Sequence, residues 1–435
     1  MRAAIAALVI DGIVIEVTGQ GSRRGTRVAG RSIHISGVGM TALGKHKGRS
    51  VKDLTREAVT AALADAGLAP DRVEAALFAN TRQPILEGQN AVRGEIALAE
   101  AGIEGVAVVN VENACASGSS AVALGADMIR AGRAETVLVA GAEKMVFPDR
   151  DDLVMKAFKG GTDVERIEET AERMAALGAN LIPEEAKDAA RRSFFMDIYA
   201  GLARAHMERF ATTQEQIAAA AAKNHAHAAH NPNAQYRHAM SVEAVLADKP
   251  IVWPLTRAMC APVSDGAAAL VLQAEDAAPE GAVKLAGVGW TTATARDPEA
   301  YDAHLGRRAA LSAYEDAGIG PQDVDLAEVH DATSFAEILQ IENLGLCPRG
   351  QGGPFTMSGA TALGGSVPVN VTGGLVSKGH PVGATGVIQI VEMTRQLRGQ
   401  GGGAQVEDAR VAVCENGGGF LGVEEAVTLV TVLAR

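Results

Sequence analysis

The chain has 435 residues, 47% of them hydrophobic but only 3% aromatic, with 49 glycines and a formal net charge of −12. That length supplies core for two or three domain-sized units packed from Ala, Val and Gly, and the acidic balance argues against nucleic acid as a partner. Four cysteines (115, 260, 347 and 414) lie far apart without a CxxC pair, which argues against a disulfide framework or a zinc knuckle and fits a cytoplasmic location.

The first apolar run is broken by Asp11 and is too short to span a bilayer. Asp11 and Glu16 also weigh against a secretion signal, and residues 1–31 read as an extension ahead of a domain that starts at Ser32. Ser32–Met40 alternates as a strand. Val51–Ala66 carries helical spacing and stops at Gly67, and Val73–Ala79 is a second strand. The segment DAGLAPDRVEAALFAN (65–80) returns as DAGIGPQDVDLAEVHD (316–331): helix end, Gly, Pro, strand. This predicts an internal duplication, two similar α/β halves at 32–280 and 281–435.

In the first half, Val106–Val109 leads to Cys115 and a helix of small residues, followed by a buried strand at Thr136–Ala142. Residues 145–250 break the rhythm with charge clusters and helices at Met196–Phe210 and Ile217–Ala229, an inserted and mostly helical loop domain. Ser264–Gln273 returns to the sheet and Val283–Trp290 crosses into the second half. There, helices at Arg307–Ala317, Phe335–Leu344 and Val387–Leu397 alternate with strands at Val324–His330, Arg410–Val413 and Gly422–Ala434.

Four side chains stand out chemically. Cys115 sits at a helix N-terminus, where the helix dipole favours a thiolate and lowers the thiol pKa. His380, in GGLVSKGHPVGATG (373–386), occupies the mouth of a second helix. Duplicated halves would bring the two helix starts together, and the imidazole could take the thiol proton. His330 ends a strand beside Asp331, where α/β sheets face their ligand crevices. The first copy has Ala79 and Asn80 at the equivalent places. Cys414 reads as the close of a strand before Glu415, Asn416 and three glycines, whose N–H groups could hold an oxyanion. Phe194, Phe195, Met196 and Tyr199 either line a pocket or fill a helix core. His225, His227 and His230 do not share one helix face, so no metal is expected.

ACASGSS (114–120), GGLVSKGHPVGATG and the cysteine before GGG resemble the three signatures of thiolases, over a stretch from Ser32 to the C-terminus. VHDATSFAEI (329–338), LGLCPRGQGG (344–353) and KNHAHAAHNP (223–232) are similar to the sterol carrier protein x and acetyl-CoA acetyltransferase branch. The resemblance implies an α/β thiolase fold, five-layered αβαβα, with the loop domain at 145–250. It implies that Cys115 is acylated, that His380 activates it, and that His330 helps build an oxyanion hole. Cys414 would handle the α-proton of the incoming acetyl group, and backbone N–H groups of Cys115 and Asn416 would form a second oxyanion hole. Acyl-CoA and CoA are implied as substrates, with no tightly bound cofactor and with basic residues of 150–240 near the CoA phosphates. A homodimer or homotetramer is also implied, and a small accessory partner domain is compatible with it. Two departures are visible. Ala332 stands where that branch typically has a cysteine, and Cys414 stands where it often lacks one. A one-directional, ketosynthase-like condensing enzyme and a non-catalytic carrier or scaffold are the competing expectations.

Overall fold

The computed structural model describes residues 7–10, 13–16, 31–187 and 193–435, which divide into two units, Met1–Arg31 and Ser32–Arg435. Much of the expected N-terminal extension, and residues 188–192 of a charged run, lie outside the described residues. In the first unit, Ala7–Ile10 pairs antiparallel with Ile13–Glu16.

Nine strands of the second unit form one mixed sheet. They are β1 (Ile33–Met40), β2 (Ala75–Ala79), β3 (Ala107–Val111), β4 (Thr136–Glu143), β5 (Gly266–Ala274), β6 (Val283–Thr292), β7 (Leu326–Glu328), β8 (Val411–Gly418) and β9 (Val427–Ala434). Their order is β7-β8-β9-β6-β1-β5-β4-β2-β3. This is one pattern used twice. In the first half-sheet β1–β5 and β5–β4 are antiparallel, and β4–β2 and β2–β3 parallel. In the second, β6–β9 and β9–β8 are antiparallel and β8–β7 parallel. Ala327 of β7 then bridges in parallel to Val369, at the place β3 holds in the first half. The half-sheets join through Val283–Ile35 and Lys284–His34.

The repeated sequence segment encodes a repeated joint. β1 has a register shift between Ile35 and Gly37, and β6 has one between Leu285 and Gly287. Just beyond each shift a freed N–H donates to an aspartate at the end of a helix: Val38 to Asp65 Oδ2 at 2.9 Å, and Val288 to Asp316 Oδ2 at 3.0 Å. Those two aspartates begin the two copies of the repeat.

Seven helices cover the sheet and build the lobe: α1 (Val51–Ala66), α2 (Ser117–Arg130), α3 (Phe194–Phe210), α4 (Gln214–Ala228), α5 (Leu305–Ala317), α6 (Ser334–Asn343) and α7 (Thr385–Leu397). α1 starts at a capping box, Ser50 with Asp53, and ends at Gly67 with φ 66°, the left-handed cap that a glycine adopts without steric cost. α1 covers β1 and β5, α5 covers β6 and β9, and α2 and α7 lie between the half-sheets, giving the layers αβαβα. Each outer helix approaches its sheet closely because a glycine faces it. A Cβ on Gly39 would run into the α1 backbone at Ala58 and Ala62, and one on Gly289 into α5 at Ala309 and Ala313.

The inserted lobe carries α3, α4 and the shorter helices Asp151–Lys159 and Ile167–Ala176. Ala200 and Ala203 of α3 and Ala218 and Ala221 of α4 bury against Phe335 and Leu339 of α6, so the lobe shares a core with the second half. Strand ends differ from expectation: the stretch expected at Val324–His330 pairs only at Leu326–Glu328, and that expected from Gly422 starts at Val427. β8 does not stop at Val413 but runs to Gly418, because β9 pairs with it along its whole length and its Glu415 and Asn416 are buried with inward partners.

Gly39→Ala or Gly289→Ala would push helix from sheet. Either substitution is expected to cost about 1–3 kcal/mol, the usual cost of overpacking, read as a lowered Tm with little change for alanine at exposed Gly160, whose φ is −67°.

Candidate active site

The site begins where β3 meets α2. Ala114 adopts φ 49°, a left-handed conformation that costs a non-glycine residue about 1–3 kcal/mol. The first turn of α2 holds it there. Ser117 Oγ donates to Ala114 O at 2.6 Å and accepts from the Asn113 N–H at 2.8 Å, while Asn113 Nδ2 donates to Ser120 Oγ at 2.9 Å. The serines of ACASGSS therefore shape the turn that presents Cys115.

α7 supplies the facing group. A Cβ on Gly118 would meet Val387 N at 2.7 Å, so α2 and α7 touch at their N-termini, as duplication of the halves predicts. His380 precedes α7. Its N–H donates to Ser264 Oγ at 3.0 Å, and its Nδ1 lies 2.8 Å from Thr385 Oγ1. The Thr385 hydroxyl itself donates to Pro381 O at 3.2 Å. It must therefore accept from His380 Nδ1–H, which leaves Nε2 with a free lone pair.

His330 follows β7. Its N–H donates to Glu415 Oε2 at 3.0 Å, and its ring stands edge-on to His380 with centroids 5.1 Å apart. The ring is 2% exposed and neither nitrogen has a hydrogen-bond partner. Cys115 Sγ and one nitrogen from each histidine lie within 4.8 Å of one another, a donor set that could also grip a soft cation. Asp331 supports the group from behind: its Oδ1 accepts from Leu375 N–H at 2.6 Å and its Oδ2 from Asn224 Nδ2 at 2.9 Å. Lys378, fully buried, donates to Glu328 at 2.8 Å and also pairs with Glu392, which fixes the loop two residues before His380.

These groups form the floor of a cavity of about 340 Å3, walled by Met155, Phe158, Phe195, Met196 and Tyr199 of the lobe. Phe194 stays in the helix packing, edge-on to Phe195. Burial decides the electrostatics. It pushes the Cys115 thiol up to about 11, against the pull of Arg82 and of two N–H groups, those of Gly419 and of Cys115 itself. At this helix start the thiol is therefore raised rather than lowered, with desolvation by the surrounding protein as the largest cause. Burial also lowers His330 to about 4 and His380 well below the ordinary histidine value, the latter helped by His330 and Arg82. The resting site is a neutral thiol beside two neutral imidazoles.

Several sequence expectations need correction. Cys414 is not in the cavity: in mid-strand it pairs with Glu328 and Thr431 and is 1% exposed. Its side chain belongs to the central core, where burial and then Glu328 raise its pKa. The N–H aimed at the Cys115 sulfur is that of Gly419. Asn416 pairs with Leu429 instead, and its Oδ1 accepts from Ser119 Oγ at 2.9 Å. Among the described residues, the arginines lining the cavity are Arg82 and Arg257; the expectation of CoA-phosphate contacts in 150–240 concerns a part of the substrate distant from this cavity. A second thiol does line it, Cys260, whose backbone bridges to Thr333 beside Ala332. His225 and His227 are engaged elsewhere: His225 Nε2 donates to Ala258 O and His227 Nδ1 to Asn370 O, both at 3.0 Å. Arg82 and Cys260 carry no motif. Arg82 has one signal in the sequence: Asn80–Arg82 follows β2 as His330 follows β7.

Two outcomes follow. Without substrate, the rate of Cys115 alkylation by iodoacetamide is expected to climb steadily from pH 7 to pH 10; a plateau below about pH 8 would instead reveal a thiolate–imidazolium pair. Lys378→Met leaves Glu328 and Glu392 facing each other and is expected to cost about 3–5 kcal/mol in chemical denaturation.

The comparisons with known proteins agree with this geometry. Residues 33–245 match the thiolase N-terminal domain and residues 286–431 the thiolase C-terminal domain-like family. The chain is 33% identical to sterol carrier protein 2 of Oryctolagus cuniculus, covering 91% of this chain and 71% of that one. It is 34% identical to an acetyl-CoA acetyltransferase of Methanothermobacter thermautotrophicus (89% and 97% covered). It is 31% identical to the benzoylsuccinyl-CoA thiolase subunit BbsB of Thauera aromatica (89% and 95%). In three dimensions it superposes on a chain of the Ltp2-ChsH2(DUF35) aldolase with a TM-score of 0.72 at 24% identity, covering 93% and 98%. With both thiolase domains matched in order across most of its length, this chain belongs to the thiolase family.

Proposed function

We propose that this chain is a thiolase-type acyltransferase that carries an acyl group on Cys115 between CoA and a second acceptor. The observation that supports it most is the triangle of Cys115, His330 and His380 on the floor of one largely apolar cavity. The Cys115 sulfur attacks the thioester carbon while its proton passes to His380 Nε2. Because thiol and imidazole are both neutral at rest, the transfer accompanies C–S bond formation rather than preceding it. The oxyanion is held by N–H groups, with those of Gly419 and Cys115 already directed at the sulfur. The tetrahedral adduct collapses, the bond to the CoA sulfur breaks, and His380 returns the proton to CoA. The Cys115 thioester then reacts with CoA, or with an enolate from acetyl-CoA in a Claisen condensation.

His330, buried and with neither ring nitrogen bonded to another side chain or to the backbone, is the group placed to meet the substrate oxygen. The one-directional condensing reading draws its support from Cys414, whose absence from the cavity removes the thiol assigned to the α-proton. The relative named as a subunit motivates an accessory protein partner for this chain.

Acetyl-CoA is expected to add one acetyl group to Cys115 by intact mass and peptide mapping, and Cys115→Ala to remove it; a wild-type protein that stays unmodified overturns the reading. His380→Asn is expected to slow acylation about 10²–10⁴-fold. Condensation that survives in Cys414→Ser while thiolysis is undetectable in wild type would favour the one-directional enzyme.

A further inference from the structure

Arg82 lines the same cavity as Cys115 and is only 7% exposed. Arginine stays protonated in proteins and is rarely so deeply buried without a carboxylate. None of the described residues forms an ion pair with it. Its Nη1 donates to Ala157 O at 2.6 Å, its guanidinium lies 5.3 Å from the Phe158 ring centroid, and its Nε is buried without a partner.

Glu143 feels the charge of Arg82 but makes no ion-pair contact with its guanidinium. Glu143 accepts from the backbone N–H of Arg82 at 2.9 Å, from Asn80 Nδ2 at 2.9 Å, from Thr81 N–H at 3.1 Å, from Thr81 Oγ1 at 3.0 Å and from Gly383 N–H at 2.9 Å. These bonds fix the Arg82 main chain and occupy the carboxylate. An unpaired buried cation is costly, and a ligand anion would offset that cost.

We propose that Arg82 binds a carboxylate on the acyl group, so that the substrate class is an acyl-CoA whose acyl chain carries a second carboxylate. The proposal rests on the acyltransferase reading above. The CoA phosphates do not fit the role, because the whole pantetheine arm separates them from the sulfur, whereas Arg82 lies close enough to Cys115 to act on its thiol. A guanidinium pairs with a carboxylate through parallel N–H donors, and the unpartnered Nε is one such donor.

The test uses succinyl-CoA and butyryl-CoA, whose acyl groups match in length and differ in the terminal carboxylate. Single-turnover acylation of Cys115 is followed by mass spectrometry. Wild-type protein is expected to favour succinyl-CoA by roughly 10–100-fold in rate constant, the range for a charge-assisted bond in a buried site. Arg82→Met should collapse that ratio towards one, and Arg82→Lys should keep part of it. Equal rates in wild type, or a ratio preserved in a folded Arg82→Met protein, overturn the proposal. Should Arg82→Met not fold, the wild-type ratio and Arg82→Lys still decide. Failure of both thioesters to acylate Cys115 would instead overturn the acyltransferase reading.

Discussion

Everything at the site depends on how closely α2 and α7 meet. Gly118 faces the α7 backbone at Val387, and a Cβ on Gly386 would strike Ser119 of α2. With no side chain between them, the helix starts bring Cys115 and His380 to one point although they are far apart in sequence. The energetic support comes from the layers around them. Leu270 and Leu433, from the two half-sheets, and Val387 and Ile390 of α7 lie in one buried core, so separating the helices would open the largest apolar cluster of the protein.

That contact also sets the chemistry. Protein packed around the thiol desolvates it, and desolvation outweighs the cation of Arg82 and the two N–H groups together. The result is a nucleophile that waits neutral and ionises only when a substrate carbon accepts its electrons. Charge then develops in a place already lined with N–H donors, where a low dielectric strengthens each interaction.

Much of this was legible in the sequence, for identifiable reasons. The aspartate that opens each repeat copy bonds to a strand just past a register shift, so the repeat was a genuine structural unit. Cys115 and His380 were legible because small residues crowd around them, and His330 because a strand end carries an imidazole in only one copy. Cys414 misled because a cysteine before Glu-Asn-Gly-Gly-Gly looks like a strand terminus. Glu415 and Asn416 continue the strand with one inward bond each, from His330 N–H and from Ser119 Oγ, partners that no local pattern reveals. Arg82 and Cys260 were silent for the same reason: their roles come from which walls meet across the cavity.

The position of the lobe in the chain has a consequence for synthesis. β5 is the second strand of the first half-sheet and sits between β1 and β4, yet the lobe is translated before it. β1 and β4 therefore leave the ribosome without the strand that joins them, and both carry bare edges until Gly266–Ala274 emerges. At roughly 5–20 residues per second, that interval is on the order of ten seconds. The lobe cannot finish packing in that time either, because its partner Phe335 lies further downstream. The nascent chain thus leaves the edges of β1 and β4 unpaired throughout the interval, when wrong strand pairing competes with the native one.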